Sequence, residues 1–192
     1  MTSLKRKGCI VVVSGPSGAG KTTLCRRVLQ STDVEWSVSA TTRPPRKAET
    51  DGVDYHFISR EEFERRIKAG GFAEHAQVFD FLYGTPREPL DLLLRKGGCM
   101  LVDVDSQGAR VLKERYGDAV VTVFVSPSRP EDLTGRLAGR KTETPEEMAR
   151  RLAQARREIA LGSQYDYAIV NDDLEKAVSE FRQLLDKIVR TG

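Results

Sequence analysis

Long hydrophobic runs are absent from this chain of 192 residues, and cysteines and aromatic residues are few. No apolar stretch approaches the ~20 residues that a membrane-spanning helix needs, so an integral membrane protein is not expected. The basic residues Lys5-Arg6-Lys7 lead directly into the first apolar run, without the apolar region of a signal peptide. The 3 cysteines lie in no spacing typical of zinc ligands or of a disulfide framework. We therefore expect reduced, mostly buried thiols and a cytoplasmic protein.

The chain also lacks an excess of charge of one sign. It has 31 basic and 28 acidic residues, a formal net charge of +3, which is too balanced for a nucleic-acid interface spread over the surface. Three basic residues near a terminus are typical of a solvated tail. The sequence therefore predicts neither a nucleic-acid nor a membrane partner, and it leaves open whether the protein is a monomer or a homo-oligomer.

Short apolar runs alternate with helical periodicity, which is typical of an α/β fold with a largely parallel sheet. Strands buried on both faces are nearly all apolar, and we expect four of them in one central sheet, at residues 9–13, 99–104, 120–125 and 167–170. Capping boxes predict helix starts at Ser59 with Glu62 and at Thr144 with Glu147, and the glycine pairs 70–71 and 97–98 predict helix ends. The last helix is predicted by an apolar face that runs from Leu174 to Ile188.

The most informative segment is the glycine-rich stretch that separates the first strand from the first helix. Its spacing, G-x-x-x-x-G-K-[ST], predicts a P-loop, in which backbone N–H groups and the positive end of the helix bind phosphate oxygens. In this motif Lys21 reaches the β- and γ-phosphates of ATP and Thr22 ligates Mg²⁺. The predicted nucleotide-binding residues are Gly15, Pro16, Ser17, Gly18, Ala19, Gly20, Lys21, Thr22 and Thr23.

Two segments interrupt the alternation of strands and helices. Residues 37–85 combine one helix with strand patterns at 36–39, 55–58 and 72–79, which predicts a small β-rich insertion. A second, polar insertion lies at about 135–144 and joins two helices. A P-loop kinase carries its acceptor-binding region and its closing lid at these positions.

Acidic and basic side chains follow these predicted strands. Asp103 ends an apolar run, so its carboxylate is expected at the carboxyl edge of the sheet, beside the P-loop, where it can bind Mg²⁺ or its waters. Asp105 would point the same way if the strand continues. Arg43 and Arg46 lie on a proline-containing loop and can bind phosphate bidentately, although an isolated pair of this kind is more often a solvated basic loop. Tyr55 and Tyr83 could add hydroxyl donors, or be buried structural residues.

Taken together, the motifs resemble those of guanylate kinases, in the same order and at compatible spacing from about Gly8 to the C-terminal helix. The segments that carry the resemblance are residues 15–22, 37–46, 51–55, 74–76, 83–85, 103–108, 136–140 and 170–173. The resemblance implies transfer of the γ-phosphoryl group of MgATP to GMP, and also to dGMP, in purine nucleotide metabolism. It implies one domain over 1–192, with a P-loop NTPase-type parallel sheet flanked by helices (core 8–36, 86–134 and 160–192), a GMP-binding insertion at 37–85 and a helical lid at 135–159.

The resemblance also assigns roles to residues. It implies that the GMP phosphate is bound by Arg43, Arg46, Tyr55 and Tyr83, that guanine is read by Ser39, Glu74 and Thr85, and that Gly84 and Asp105 belong to the same site. The catalytic cations would be Lys21, Arg43 and the lid residues Arg136, Arg140 and Arg151, with Asn171 near the adenine of ATP. A carboxylate at Glu74 can accept from guanine N1–H and the exocyclic amine, which adenine does not offer, and such a pocket can reject the wrong base by ~10⁴-fold.

Four positions depart from the family pattern, at Ala48, Asp80, Leu82 and Lys141, where GMP affinity or lid motion would be altered. Two other functions are compatible with the P-loop. A guanylate-kinase-like protein-binding module would have lost phosphate-binding residues, whereas Lys21, Thr22 and Asp103 are present, and we expect no attached interaction domain within these 192 residues. A kinase for another phosphorylated acceptor, such as ribose bisphosphate, would not need the guanine-reading set.

Overall fold

A computed structural model describes residues 8–78, 80–129, 133 and 157–191. Its strands are β1 Cys9–Ser14, β2 Glu35–Trp36, β3 Ala40–Thr41, β4 His56–Phe57, β5 Phe72–Val78, β6 Phe81–Pro86, β7 Cys99–Asp103, β8 Val120–Ser126 and β9 Tyr167–Val170. Its helices are α1 Lys21–Leu29, α2 Arg60–Lys68, α3 Arg87–Lys96, α4 Ser106–Tyr116 and α5 Leu174–Thr191, with 3₁₀ turns at Gly117–Ala119 and Gly162–Gln164.

The central sheet has five parallel strands in the order β2-β7-β1-β8-β9. All four strands expected from apolar runs lie in it, and the short strand β2 extends it at one edge. The register places Val13 of β1 beside Asp103 of β7. Because parallel strands end at the same edge, the P-loop after β1 and the carboxylate that ends β7 lie next to each other.

Helices cover both faces of this sheet. Alternate residues of β1 point to opposite faces: Val11 and Val13 pack with the buried residues of α1 and α5, whereas Ile10 and Val12 pack with those of α3 and α4. The strand is therefore apolar throughout because both of its faces are core. All 3 cysteines are buried and free. Among the described residues, no helix combines the length and the apolar character needed to cross a bilayer.

A second, mixed sheet follows the order β4-β3-β6-β5 and packs against α2. Its small core includes Phe63 and Phe72, whose rings stack with centroids 4.4 Å apart. Leu82, one of the departures from the family pattern, is buried in this same core. The insertion is thus a separate β-layer with its own apolar contacts.

Three details differ from the sequence-based expectation. The strand pattern at 36–39 is wrong, because Glu35–Trp36 pairs in the central sheet and the insertion strand begins at Ala40. The strand β6 was not expected at all. At the start of α2, the hydroxyl of Ser59 does accept from the backbone N–H of Glu62 (3.2 Å), but the Glu62 carboxylate accepts from arginines of its own helix. The capping box predicted at Thr144 lies outside the described residues.

Candidate active site

The loop between β1 and α1 has the backbone conformation that its glycines predict. Gly15, Gly18 and Gly20 have φ values of 146°, 85° and 81°, which side-chain-bearing residues rarely adopt. A Cβ at Gly15 would lie 2.0 Å from the carbonyl oxygen of Val125, so no other residue fits there. The loop closes directly onto the N-terminus of α1, which is the geometry that binds phosphate.

Lys21 is the first residue of α1, and its ammonium group lies over this loop. Its Nζ donates to the carbonyl oxygens of Gly15 (2.7 Å) and Pro16 (3.2 Å). The next residue, Thr22, donates its hydroxyl to Asp103 Oδ2 at 3.3 Å. Burial raises the pKa of Asp103, with opposing effects of Lys21 and of the hydrogen bond from Thr22. A hydroxyl, a carboxylate and an ammonium therefore converge at the mouth of the P-loop.

Asn171 contacts the backbone of the P-loop. It follows β9, is buried, and its Nδ2 donates to the carbonyl oxygen of Ala19 at 2.7 Å. A Cβ at Gly20 would come within 2.6 Å of the same nitrogen, so the amide and the glycine fit closely together. This contact to the loop backbone was not anticipated for a residue expected near adenine.

A cavity of about 210 Å³ separates the P-loop helix from the insertion. Side chains from both parts of the chain line it, namely Thr22, Arg26, Trp36, Ser37, Ser39, Arg46, Glu49, Asp54, Tyr55 and Asp103. Thr22 and Asp103 come from the P-loop side, whereas Ser39, Arg46 and Tyr55 come from the insertion. The structure thus brings predicted nucleotide and acceptor residues to one cleft.

The side chain of Arg43 is largely buried, whereas an isolated pair of arginines on a loop would more often be solvated. Only 11% of its side chain is exposed, and its guanidinium carbon lies 5.6 Å from the centroid of the Tyr55 ring. The rings of Tyr55 and Tyr83 meet edge to face at 5.9 Å. Burial, with the charge of Asp103 next in effect, raises the pKa of Tyr55 to about 12. Arg43 and the two tyrosines therefore form one cluster.

Glu74 and Thr85 form a second polar cluster, at the centre of the strand pair β5–β6. Glu74 is buried, and its Oε1 accepts from both the backbone N–H (3.0 Å) and the hydroxyl of Thr85. Its Oε2 lies against the N-terminal turn of α4, 2.9 Å from where a Cβ of Gly108 would be. Burial raises the pKa of Glu74, opposed by the Thr85 hydroxyl.

Two predicted site residues have structural roles that the sequence did not indicate. Strand β7 ends at Asp103, and Asp105 is the N-cap of α4, where its Oδ1 accepts from the backbone N–H of Gly108 at 2.8 Å. The strand does not continue to Asp105, so the condition under which Asp105 would point the same way as Asp103 is not met. Gly84 is buried, and a Cβ at this position would come within 3.0 Å of the stacked rings of Phe63 and Phe72, so close packing alone explains the glycine.

Sequence reasoning missed Glu49, Arg26 and Asp54, which line the cavity. Arg26 of α1 forms an ion pair with Asp54 of the insertion. Both partners of this ion pair lie close in sequence to a predicted site residue, since Arg26 is one helical turn after Thr22 and Asp54 precedes Tyr55. The predicted lid residues Arg136, Arg140 and Arg151 lie outside the described residues.

A strand, P-loop and helix, with a carboxylate at the end of the neighbouring strand and an insertion facing them, define the class of P-loop kinases. Comparison with known proteins identifies the family. The family model for guanylate kinase matches residues 7–188, and the chain belongs to the guanylate kinase family.

Individual relatives agree over most of their length. The guanylate kinase of Symbiobacterium thermophilum is 52% identical over 94% of this chain and 86% of the relative, and that of Syntrophotalea carbinolica is 48% identical over 95% and 87%. The crystal structure of guanylate kinase from Anaplasma phagocytophilum matches with a TM-score of 0.81 and 36% identity, covering 96% of this chain and 88% of that one.

Proposed function

We propose that this chain transfers the γ-phosphoryl group of MgATP to GMP, giving ADP and GDP, and accepts dGMP as well. The observation that carries the proposal is the cavity whose walls combine Thr22 and Asp103 with Ser39, Arg46 and Tyr55. Two anionic substrates would meet there, one from each side. Membership of the guanylate kinase family supports the same reaction.

ATP is proposed to bind at the P-loop. The backbone N–H groups of Gly15, of residues 17–20 and of the start of α1 offer a positive environment for its phosphates. The ammonium of Lys21 now donates to two loop carbonyls, and phosphate oxygens would replace these as stronger, charge-assisted acceptors. Asn171 stabilises the loop in that conformation through Ala19.

The residues at the mouth of the loop fit Mg²⁺. Thr22 and Asp103 offer two oxygen ligands close together. Among the described residues, there is no group of three or more acidic, histidine or cysteine residues that could hold a metal ion by itself. Mg²⁺ typically takes one or two protein oxygens together with substrate phosphates. When bound, it neutralises charge on the transferring phosphates. The raised pKa of Asp103 is that of a buried carboxylate that lacks a full counter-charge.

Guanine is proposed to bind at Glu74, with Ser39 and Thr85. Among the described residues, Thr85 occupies only Oε1 of the Glu74 carboxylate by hydrogen bonding, so acceptor capacity remains for N1–H and the exocyclic amine. Adenine lacks both of these donors, so the remaining acceptor capacity of this buried carboxylate would stay unsatisfied. Discrimination by ~10⁴-fold is typical of a site that requires such hydrogen bonds.

The GMP phosphate is proposed to bind at Arg43, Arg46, Tyr55 and Tyr83. With a pKa of about 12, Tyr55 keeps its proton at neutral pH and can donate it in a hydrogen bond. The lid arginines Arg136, Arg140 and Arg151 would meet the transferring group on closure, which also excludes water. No side-chain nucleophile is required, because positioning and electrostatic stabilisation account for catalysis of this kind.

A panel of nucleoside monophosphates tests the proposal. Purified protein is incubated with MgATP and GMP, dGMP, AMP, CMP or UMP, and the diphosphates are quantified. We expect GDP and dGDP to form and the other acceptors to react at least ~10³-fold less efficiently. A Lys21→Met variant serves as the background control. Equal turnover of AMP and GMP, or none above the control, would contradict the proposal.

A further inference from the structure

Glu49 lies on the loop of the insertion, and its carboxylate contacts both arginines proposed for the GMP phosphate. Arg43 donates through Nη1 to Oε2 and through Nη2 to Oε1, each at 2.8 Å. The backbone N–H of Arg46 donates to Oε2 at 2.7 Å, and Arg46 Nη1 lies 3.8 Å from Oε1. One carboxylate therefore links the two arginines at both the side-chain and the backbone level.

Glu49 and Pro44 occupy one end of the Arg43 guanidinium, and the Tyr83 hydroxyl, itself proposed for the GMP phosphate, is also hydrogen-bonded to this side chain. A guanidinium has five N–H donors. Both N–H bonds of Nη1 are used, by Glu49 and by the carbonyl oxygen of Pro44 (2.8 Å), and one N–H of Nη2 by Glu49. The donors that Glu49 and Pro44 do not use are Nε–H and the second N–H of Nη2, which lie side by side. That pair matches the spacing of two phosphate oxygens in a bidentate contact.

The pair is held in place by its surroundings. The exposed fractions of the Arg43 and Glu49 side chains are only 11% and 16%. The guanidinium lies near the rings of Tyr55 and Phe57, at 5.6 and 5.7 Å from their centroids. Hydrogen bonding with Glu49 raises the pKa of Arg43, and hydrogen bonding with Arg43 lowers the pKa of Glu49, so both groups are charged.

We propose that Glu49 is a positioning residue for the acceptor phosphate. It occupies the Nη1–Nη2 end of Arg43 and the backbone N–H of Arg46, so that Arg43 presents its Nε–Nη2 edge to the phosphate of GMP. The inference rests on the proposed function. A phosphate that instead displaced Glu49 from Arg43 would leave a largely buried carboxylate without its principal partner, which is unfavourable.

The test compares the binding of GMP with that of guanosine, which lacks the phosphate. Dissociation constants are measured by calorimetry for the parent, for Glu49→Gln and for a matched control, Glu62→Gln. Glu62 also pairs with two arginines of the insertion, Arg65 and Arg66, but on the outer helix α2 and away from the cavity. Thermal unfolding establishes that each variant is folded.

We expect Glu49→Gln to weaken GMP about 10- to 100-fold, the range of a charge-assisted hydrogen bond, and to change guanosine less than about 2-fold. Glu62→Gln should change neither. Unchanged or tighter GMP binding in Glu49→Gln overturns the proposal, and tighter binding would identify Glu49 as a competitor of the phosphate. An equal loss for guanosine would assign Glu49 to folding of the insertion and also overturn it.

A double-mutant cycle provides a second measurement if Glu49→Gln is unstable at assay temperature. When Arg43→Ala is already present, Glu49→Ala should weaken GMP much less than it does alone, because its principal route of action is gone. Full additivity overturns the proposal. If the parent protein binds GMP no more tightly than guanosine, there is no phosphate site, and the proposed function is contradicted as well. If the parent prefers GMP and the Glu49 variants keep that preference, only the role of Glu49 is contradicted.

Discussion

The hydroxyl of Thr22 lies 3.3 Å from the carboxylate of Asp103, although 81 positions separate them in the chain. The contact follows from the parallel pairing of β1 and β7, which ends both strands at one edge of the sheet. A hydroxyl and a carboxylate oxygen are thus brought together by the sheet, with the P-loop directly beside them.

Replacement of Asp103 by asparagine is expected to separate activity from stability. If Asp103 binds Mg²⁺ as proposed, the loss of this charged oxygen should lower kcat/KM by about 10²- to 10³-fold and raise the Mg²⁺ concentration needed for half-maximal rate. Since burial raises the pKa of this carboxyl, its charge opposes folding at neutral pH, and the neutral amide should unfold at an equal or higher temperature. Kinetic Mg²⁺ titration and thermal denaturation of the nucleotide-free protein check the two effects. A variant that loses stability and activity together would contradict this separation.

Glu74→Gln is expected to change the choice of base. Glutamine has a single acceptor oxygen, and its amide hydrogens would oppose the exocyclic amine of guanine. We expect kcat/KM for GMP to fall about 10²- to 10³-fold while the small value for AMP changes little. Glu88→Gln, an exposed glutamate in the first turn of α3, is a control that should leave both values unchanged. The ratio of kcat/KM for GMP and AMP is the measurement, and a constant ratio would refute the role of Glu74.

The raised pKa of Glu74 also predicts opposite effects of pH on binding and on stability. The proposed contact with guanine needs the ionised carboxylate, so kcat/KM for GMP should fall as pH decreases through the raised pKa. Folding favours the protonated form of a group whose pKa is raised, so the contribution of Glu74 to nucleotide-free stability is present at low pH and is lost as pH rises through the same value. Glu74→Gln should remove both dependences. Parallel pH profiles of kcat/KM and of the free energy of unfolding test this sign relationship.

Sequence patterns predicted the central sheet because its strands are continuous apolar runs, as in the stretch 9–13. They did predict β4, which lies within the strand pattern at 55–58. They did not predict β2 in the central sheet or β3, since strands of two residues carry no periodicity and form only where a partner strand is present. Strand β6 contains a glycine and a proline, Gly84 and Pro86, which are depleted in strands. It forms here because it pairs with β5 on one side and with β3 on the other.

The residues of the candidate site also fall into two groups, those that the sequence predicted and those that it did not. Local motifs predicted Lys21, Thr22 and Asp103, because phosphate and Mg²⁺ chemistry demands those residue types at that spacing. Contacts between distant segments were not predictable, such as the ion pair between Arg26 and Asp54, which connects helix α1 to the insertion. A polar residue near a motif has many possible partners, and only the folded chain selects one.

Asn171 provides a test of how the P-loop is supported. Its Nδ2 donates to the carbonyl oxygen of Ala19, and both residues are buried. Asn171→Asp keeps the shape but replaces the donor with an acceptor, which leaves the Ala19 carbonyl facing a carboxylate. We expect KM for ATP to rise about 10-fold or more and the free energy of unfolding to fall by about 1–3 kcal/mol, whereas KM for GMP should change little because the amide donates to the P-loop backbone, which is proposed to bind ATP.

Asn171→Ala separates the two parts of that effect. Alanine removes the donor without adding a charge, so it should reproduce part of the loss in stability and in ATP binding. Excess ATP should raise the unfolding temperature of the parent and of both variants, because it binds preferentially to the folded state. The shift on adding ATP should be largest for the parent, smaller for Asn171→Ala and smallest for Asn171→Asp. If the three shifts were equal, the amide would stabilise the fold without shaping the loop, and its contact with Ala19 would have no part in nucleotide binding.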